Sequence, residues 1–343
     1  MKKEDIKIAV VGGGNIGKTF STLLVSSGYD VELVCRDNHR AIKIDNAYAF
    51  DIQGDFGNKS YLVPFVTHVD DLSSKKDIII LATKSFDMLE RVQGCIKHLT
   101  ENGMIVTIQN ICTLDKLFRL IPAENSVCMV CDFTSTTLKK MTYVYNSHGI
   151  TLGVYDRNAI EKMNLLKDIL NDIMPVHTTK DVVGFVMSRN ILNTAISLLG
   201  AISGLHLKDI LKIRNGRKIF CRIIEESYLI CKKYRINVLP YNNQLEYNKF
   251  VERSFSGWLY RRKIIKVLKV QNGNIKSSAL EDIENGKPTE IRTVLDTLIC
   301  YGKRAKLATP TLSAIDEILR EVESRNRNIG SYILNDNRFK VAK

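Results

Sequence analysis

The strongest constraint on this chain is the run Gly12-Gly13-Gly14-Asn15-Ile16-Gly17, set between two patterned segments. Before it, residues 6–11 are apolar and β-rich; after it, residues 16–27 follow an amphipathic helical pattern. Strand, glycine turn and helix in that order turn G-x-G-x-x-G into a dinucleotide-binding fingerprint. Gly12 makes the tight turn, Gly14 lets the backbone approach a pyrophosphate, and Gly17 lets the helix pack closely on its strand. The helix start at Asn15 and Ile16 offers N–H groups and a partial positive charge to the phosphates.

The same alternation continues. β-rich runs at 31–35, 61–68, 77–81, 104–108 and 127–131 interleave with helical patterns at 16–27, 86–99 and 114–120. A hairpin-like pair, 142–146 and 149–154, follows, and a helix over 159–173 bridges to Pro175. This order is the signature of a parallel α/β sheet. From Asp181 the pattern is almost wholly helical, over 182–201, 207–235, 244–268, 289–306 and 312–324. The fold class read from this is α/β: an N-terminal Rossmann-type parallel-sheet domain followed by an all-helical C-terminal domain. The domains are expected at 1–180 (nucleotide-binding, with the bridging helix) and 181–326 (helical, substrate-binding). A polar tail over 327–343 is expected to be loosely held. The site is expected in the cleft between the domains.

The 343 residues suffice for two domains with buried cores. No apolar run is read as approaching the ~20 residues that span a bilayer, and the opening Met1-Lys2-Lys3-Glu4-Asp5 lacks the features of a secretory signal. The expected location is the cytoplasm, with no membrane partner. The formal net charge of +13 can mark a nucleic-acid partner. Here the densest basic run, Arg261-Arg262-Lys263 with Lys266 and Lys269, has helical spacing and reads as a solvated face. No nucleic-acid partner is expected, although a basic surface attracts anionic ligands. The only close cysteine pair, Cys128 and Cys131, lies in a strand pattern where residues three apart face opposite ways. No metal site is expected.

The residue closing the second strand, about 20 residues past the glycines, discriminates the nicotinamide cofactors. It is Arg36, with Arg40 and Lys43 close behind, and an arginine suits a ribose 2′-phosphate. A register slip of one residue would put Asp37 there instead, the acid of an NAD site. The reading favours NADPH/NADP.

Three further stretches carry chemistry. Ala82-Thr83-Lys84-Ser85-Phe86 and Ile108-Gln109-Asn110 stand at strand C-terminal ends, where doubly wound sheets bind ligands. The third is Ser277-Ser278-Ala279-Leu280-Glu281-Asp282-Ile283, followed by Gly286-Lys287-Pro288-Thr289-Glu290-Ile291. There Thr289 is a natural helix cap and Glu290 a first-turn acid. With Asn193 on the first helix of the second domain, these motifs resemble the ketopantoate reductase (2-dehydropantoate 2-reductase) family over about residues 5–325.

The resemblance implies a 6-phosphogluconate-dehydrogenase-like fold and NADPH-dependent reduction of a 2-oxo acid to a 2-hydroxy acid, in pantothenate and coenzyme A biosynthesis. It implies that Gly12, Gly14, Asn15, Ile16 and Gly17 bind the cofactor and that Arg36 and Lys84 hold its 2′-phosphate end. Asn110 would sit near the nicotinamide ribose and the substrate. Asn193, Ser197 and Ser278 would line the substrate, and Glu290 would lie between cofactor and substrate. The helical domain offers surfaces for a homodimer.

The departures matter equally. The family's catalytic lysine falls at Arg189, a second asparagine at Ser197, a loop asparagine near Leu207, a glycine at Ile111 and an aspartate at Arg292. Reduction of a carbonyl builds negative charge on its oxygen. Arginine is a poor general acid but can stabilise an oxyanion or grip a carboxylate with two hydrogen bonds. Two functions follow. The first is reduction of 2-dehydropantoate or a related branched 2-oxo acid, with Arg189 and Glu290 as the catalytic residues. The second is an NADPH-binding sensor or regulator with weak or lost catalysis.

Overall fold

The computed structural model describes residues 2–36, 42–108, 118–138, 141–145, 148–242, 244–271, 277–284, 286 and 289–341. The chain divides into two compact units, Met1–Val182 and Val183–Lys343.

The first unit is built on a sheet whose centre is β1 (Lys7–Val11). On one side of β1 lie β2 (Asp30–Val34) and then β5 (Lys59–Val66). On the other lie β6 (Lys76–Leu81), β7 (Leu99–Thr107) and β8 (Ser126–Cys131). These six strands pair in parallel. Their order reverses at β1, the switch point at which such sheets bind nucleotides. Consecutive strand residues face opposite ways. Ile8 and Val10 join one apolar cluster with Phe20, Leu23 and Leu24, while Ala9 and Val11 join the other with Ile79, Leu81 and Ile105. The strands are therefore near-continuously apolar because both faces are covered.

The described α-helices of the unit are α1 (Asn15–Ser26), α2 (Ser85–Lys97) and α3 (Ile160–Asn171). The helical pattern over 114–120 falls mostly outside the described residues. A second set of strands extends the β5 edge. These are β3 (Ile42–Ile44), β4 (Ala47–Gly54), β9 (Thr134–Leu138) and β10 (Met141–Tyr145). The expected hairpin of 142–146 with 149–154 does not form. β10 pairs with β9 and β4, whereas β11 (Ile150–Gly153) pairs with β8 and with β12 (Val176–Thr178). Alternation identifies a strand but leaves its partner open.

The second unit is helical. Its first helix, α4, runs Val182–Ser203. By length and composition α4 would pass as a membrane span, contrary to the sequence reading, but 61% of its apolar window is buried inside the protein and it carries Arg189, Asn190 and Asn193. The pattern over 207–235 breaks into α5 (Leu207–Ile210) and α6 (Arg214–Lys233). The pattern over 244–268 breaks into α7 (Tyr247–Val251) and α8 (Phe255–Gln271). α9 (Ser278–Glu284), α10 (Ile291–Arg304) and α11 (Pro310–Glu323) follow.

The tail is not loosely held. A 3-10 turn over Ser331–Asn335 buries Ile333 and Leu334, and α12 (Arg338–Val341) buries Phe339. Arg327 and Arg338 bridge Asp336 to Glu321 of α11. Polar composition hid a segment fastened by charge pairs to residues outside it.

Candidate active site

The C-terminal ends of β1, β2 and β6 converge on the glycine turn. Gly12 has φ +122°, a backbone that favours glycine. Its N–H donates to Val34 O at 2.9 Å, and Ala82 N–H donates to Val11 O at 2.8 Å. A Cβ on Gly12 would stand 2.6 Å from Ala82 O, and one on Gly13 would stand 2.5 Å from Cys35 Cβ. The turn is thus wedged between the segments leading to Arg36 and to Lys84. Gly14 differs. It is exposed, and a Cβ there would meet nothing within 4 Å.

Gly14 is also the N-cap of α1, and among the described residues no side chain caps that end. The Asn15 side chain instead donates to Ser135 O at 3.0 Å and accepts from Thr137 Oγ1 at 2.7 Å, which ties it to β9. The backbone at the helix start is left to face an anion, with open space beside Gly14. These residues fit a dinucleotide pyrophosphate. Ile16 is half-buried and packs on the core. Arg36 is exposed just past β2, and Lys84 is the half-buried N-cap of α2. Asp37, Arg40 and Asn110 lie outside the described residues.

In the second unit, Arg189, Asn193 and Ser197 fall four residues apart on α4, along one helix face and about 6 Å per step. Arg189 and Ser197 are half-buried and Asn193 is exposed. The Arg189 guanidinium carbon lies 5.7 Å from the centroid of the Tyr241 ring, a contact sequence spacing could not show. The next residue, Asn190, holds its side-chain nitrogen buried with no hydrogen-bond partner among the described residues.

Ser277 is buried, and its Oγ accepts from Leu280 N–H at 3.2 Å, capping α9. It packs so closely on α4 that a Cβ on Gly200 would come within 2.5 Å of its Oγ. Ser278 is the first residue of α9; its side chain lies outside the described set. Thr289 Oγ1 accepts from Ile291 N–H at 3.4 Å. Glu290, half-buried, stands at the N-cap of α10 without using its side chain as a cap. Arg292 pairs with Asp316 and Glu323 of α11, so the position where an aspartate was expected serves helix packing.

Among the described residues no group of three or more His, Cys, Asp or Glu could hold a metal ion. Cys128 and Cys131 are free thiols, and burial pushes the Cys128 thiol up to about 11.

Comparison with known proteins decides the family. The ketopantoate reductase PanE/ApbA model matches residues 8–157, and the model of that family's C-terminal domain matches 181–323. The chain belongs to the ketopantoate reductase family. It is 23% identical to the 2-dehydropantoate 2-reductase of Pyrococcus abyssi, over 89% of this chain and 94% of that one. To the 2-dehydropantoate 2-reductase of Aquifex aeolicus it is 22% identical, over 94% and 98%.

Among solved structures, D-mandelate dehydrogenase with NADH and anilino(oxo)acetate superposes with a TM-score of 0.78 at 18% identity, covering 96% of this chain and 100% of that one. The PanE/ApbA family ketopantoate reductase of Ralstonia eutropha superposes with 0.74 at 17% identity, covering 93% and 99%. The fold is thus the 6-phosphogluconate-dehydrogenase-like fold of ketopantoate reductases. As a family member the chain is a dinucleotide-binding oxidoreductase of the 2-dehydropantoate 2-reductase type, acting on a CH–OH/keto pair.

Proposed function

We propose that this chain reduces a 2-oxo acid, 2-dehydropantoate or a related branched acid, to the 2-hydroxy acid with NADPH. One observation carries the reading. A chain of this family keeps the complete Gly12–Gly17 cradle and lines Arg189, Asn193 and Ser197 along one face of α4.

Bound NADPH supplies the hydride. Arg36 and Lys84 carry positive charge for a 2′-phosphate, and Asn110 contributes an amide near the nicotinamide ribose and substrate. Asn193, Ser197 and Ser278 supply hydrogen bonds to the oxo acid. Arg189 meets the charge that develops on the carbonyl oxygen, donating in a fixed fork geometry. Arginine keeps its proton, so water or another group delivers the proton that completes the hydroxyl. Glu290 orients Arg189. Ser197 and Leu207 offer a distal hydroxyl less than two asparagines would, which supports a less polar branched acid as an alternative to 2-dehydropantoate.

A second reading rests on the arginine itself: NADPH binding with weak or lost turnover, as a sensor or regulator. The test is oxidation of NADPH, with NADH in parallel, by the purified protein over a panel of 2-oxo acids that includes 2-dehydropantoate. Turnover with one acid supports the enzyme. Tight NADPH binding with no turnover on any acid replaces it with the second reading. At position 189, Arg189→Lys should preserve or raise activity, and Arg189→Ala should cost about 100-fold or more.

A further inference from the structure

We propose that Tyr241 is a positioning residue that holds the Arg189 guanidinium in its working orientation; this rests on the reading of Arg189 above. The contact is 5.7 Å from guanidinium carbon to ring centroid, within the ~6 Å at which a ring attracts a cation. An aromatic ring suits this task because it orients the guanidinium plane while contributing no negative charge of its own.

The segment that carries the ring is held from several sides. Tyr241 and Leu245 exchange two backbone hydrogen bonds of 3.0 Å, closing a tight turn with Asn242 at φ +49°. Before the turn, Leu239 N–H donates to Gly184 O on α4 at 3.3 Å. After it, the buried Tyr247 hydroxyl donates to Ser188 O, one residue from Arg189. From α8, the Tyr260 hydroxyl donates to Gln244 O at 2.6 Å and accepts from Glu246 N–H at 2.8 Å. These bonds fasten the residues on either side of the turn to α8 and to the stretch of α4 that carries Arg189, and Tyr241 stands where the turn closes.

The experiment compares Tyr241→Leu, Tyr241→Phe and Arg189→Ala in the full-length protein, reading kcat, KM and the Kd of the 2-oxo acid for the NADP-bound form. Tyr241→Leu should lower kcat/KM about 3- to 30-fold, the loss of a half-buried cation–ring contact, and weaken the 2-oxo acid Kd in the same sense. NADPH affinity should stay unchanged. Tyr241→Phe keeps the ring and should stay within about twofold of the parent. In an Arg189→Ala background, Tyr241→Leu should add no further loss. Parent-like values for Tyr241→Leu beside an impaired Arg189→Ala overturn this inference alone, as does full additivity in the double variant. Parent-like turnover and 2-oxo acid binding in Arg189→Ala overturn the reading of Arg189 and this inference with it.

Discussion

A Cβ on Gly17 would stand 1.8 Å from the carbonyl oxygen of Gly12, whereas one on Gly14 would touch nothing within 4 Å. The two outer glycines thus answer to the fold, and under the proposed function the middle one answers to the cofactor. Gly17→Ala should force α1 away from the turn and destabilise the first unit by at least about 3 kcal/mol. Gly14→Ala should leave the apo melting temperature unchanged or slightly raised, yet weaken NADPH binding by more than about tenfold. Thermal melts with and without NADPH check both. An apo Tm for Gly14→Ala that drops as far as that of Gly17→Ala would refute the division.

Arg36 is exposed at the end of β2 beside the glycine turn. If it meets a 2′-phosphate, Arg36→Ala removes a charge-assisted contact of about 1.5–3 kcal/mol. NADPH should then bind about 10- to 100-fold more weakly, with NADH little affected. Equal losses for both cofactors would contradict a role at the 2′-phosphate and reopen the case for Asp37.

The glycine turn was legible because its signals are local: an apolar β-rich run, a turn and a period-3.6 helix occupy adjacent residues. The helix face of Arg189, Asn193 and Ser197 was legible for the same reason. What spacing could not show was pairing between distant segments. Strand 142–146 was recognised, but its partners β4 and β9 were not. Tyr241 meets Arg189 only through a turn fastened to two helices. Arg292 looked like a lost site residue and is an ion-pair partner of Asp316 and Glu323. The tail's polarity concealed contacts whose partners lie on α11.

That tail gives a pH-dependent prediction. Asp336 accepts from Arg327 at 2.7 Å and from the Arg338 backbone and side chain at 2.9–3.0 Å. The Arg338 hydrogen bonds, against the opposing effect of burial, hold its carboxyl well below the ordinary range. A depressed carboxyl contributes stability above its unfolded pKa of about 4, and that stability fades as pH falls toward the folded value. Asp336→Asn should therefore lower Tm by about 2–4 °C at pH 7. The gap should narrow steadily below about pH 4. A gap that stays constant from pH 7 to pH 3 would show that charge is not what fastens the tail.

α11 begins with Thr309 at its N-cap, which makes no side-chain cap, and Pro310, which has no N–H. Its first free donors are satisfied from another helix: Glu226 of α6 accepts from Thr311 N–H at 2.8 Å and from Leu312 N–H at 2.9 Å, one on each carboxylate oxygen. Glu226 is 9% exposed, so water cannot readily replace it. Glu226→Ala leaves two buried donors without partners, at about 1–3 kcal/mol each, and should lower the melting temperature of the second unit by about 5–10 °C. Glu226→Gln retains one accepting oxygen and turns an amide donor toward the other N–H. It should fall between the parent and Glu226→Ala. Melting in the three proteins at one pH, with NADPH affinity as the control for the first unit, tests this. A Glu226→Ala melt within 1 °C of the parent would mean that the end of α11 is held by its packing and not by this carboxylate.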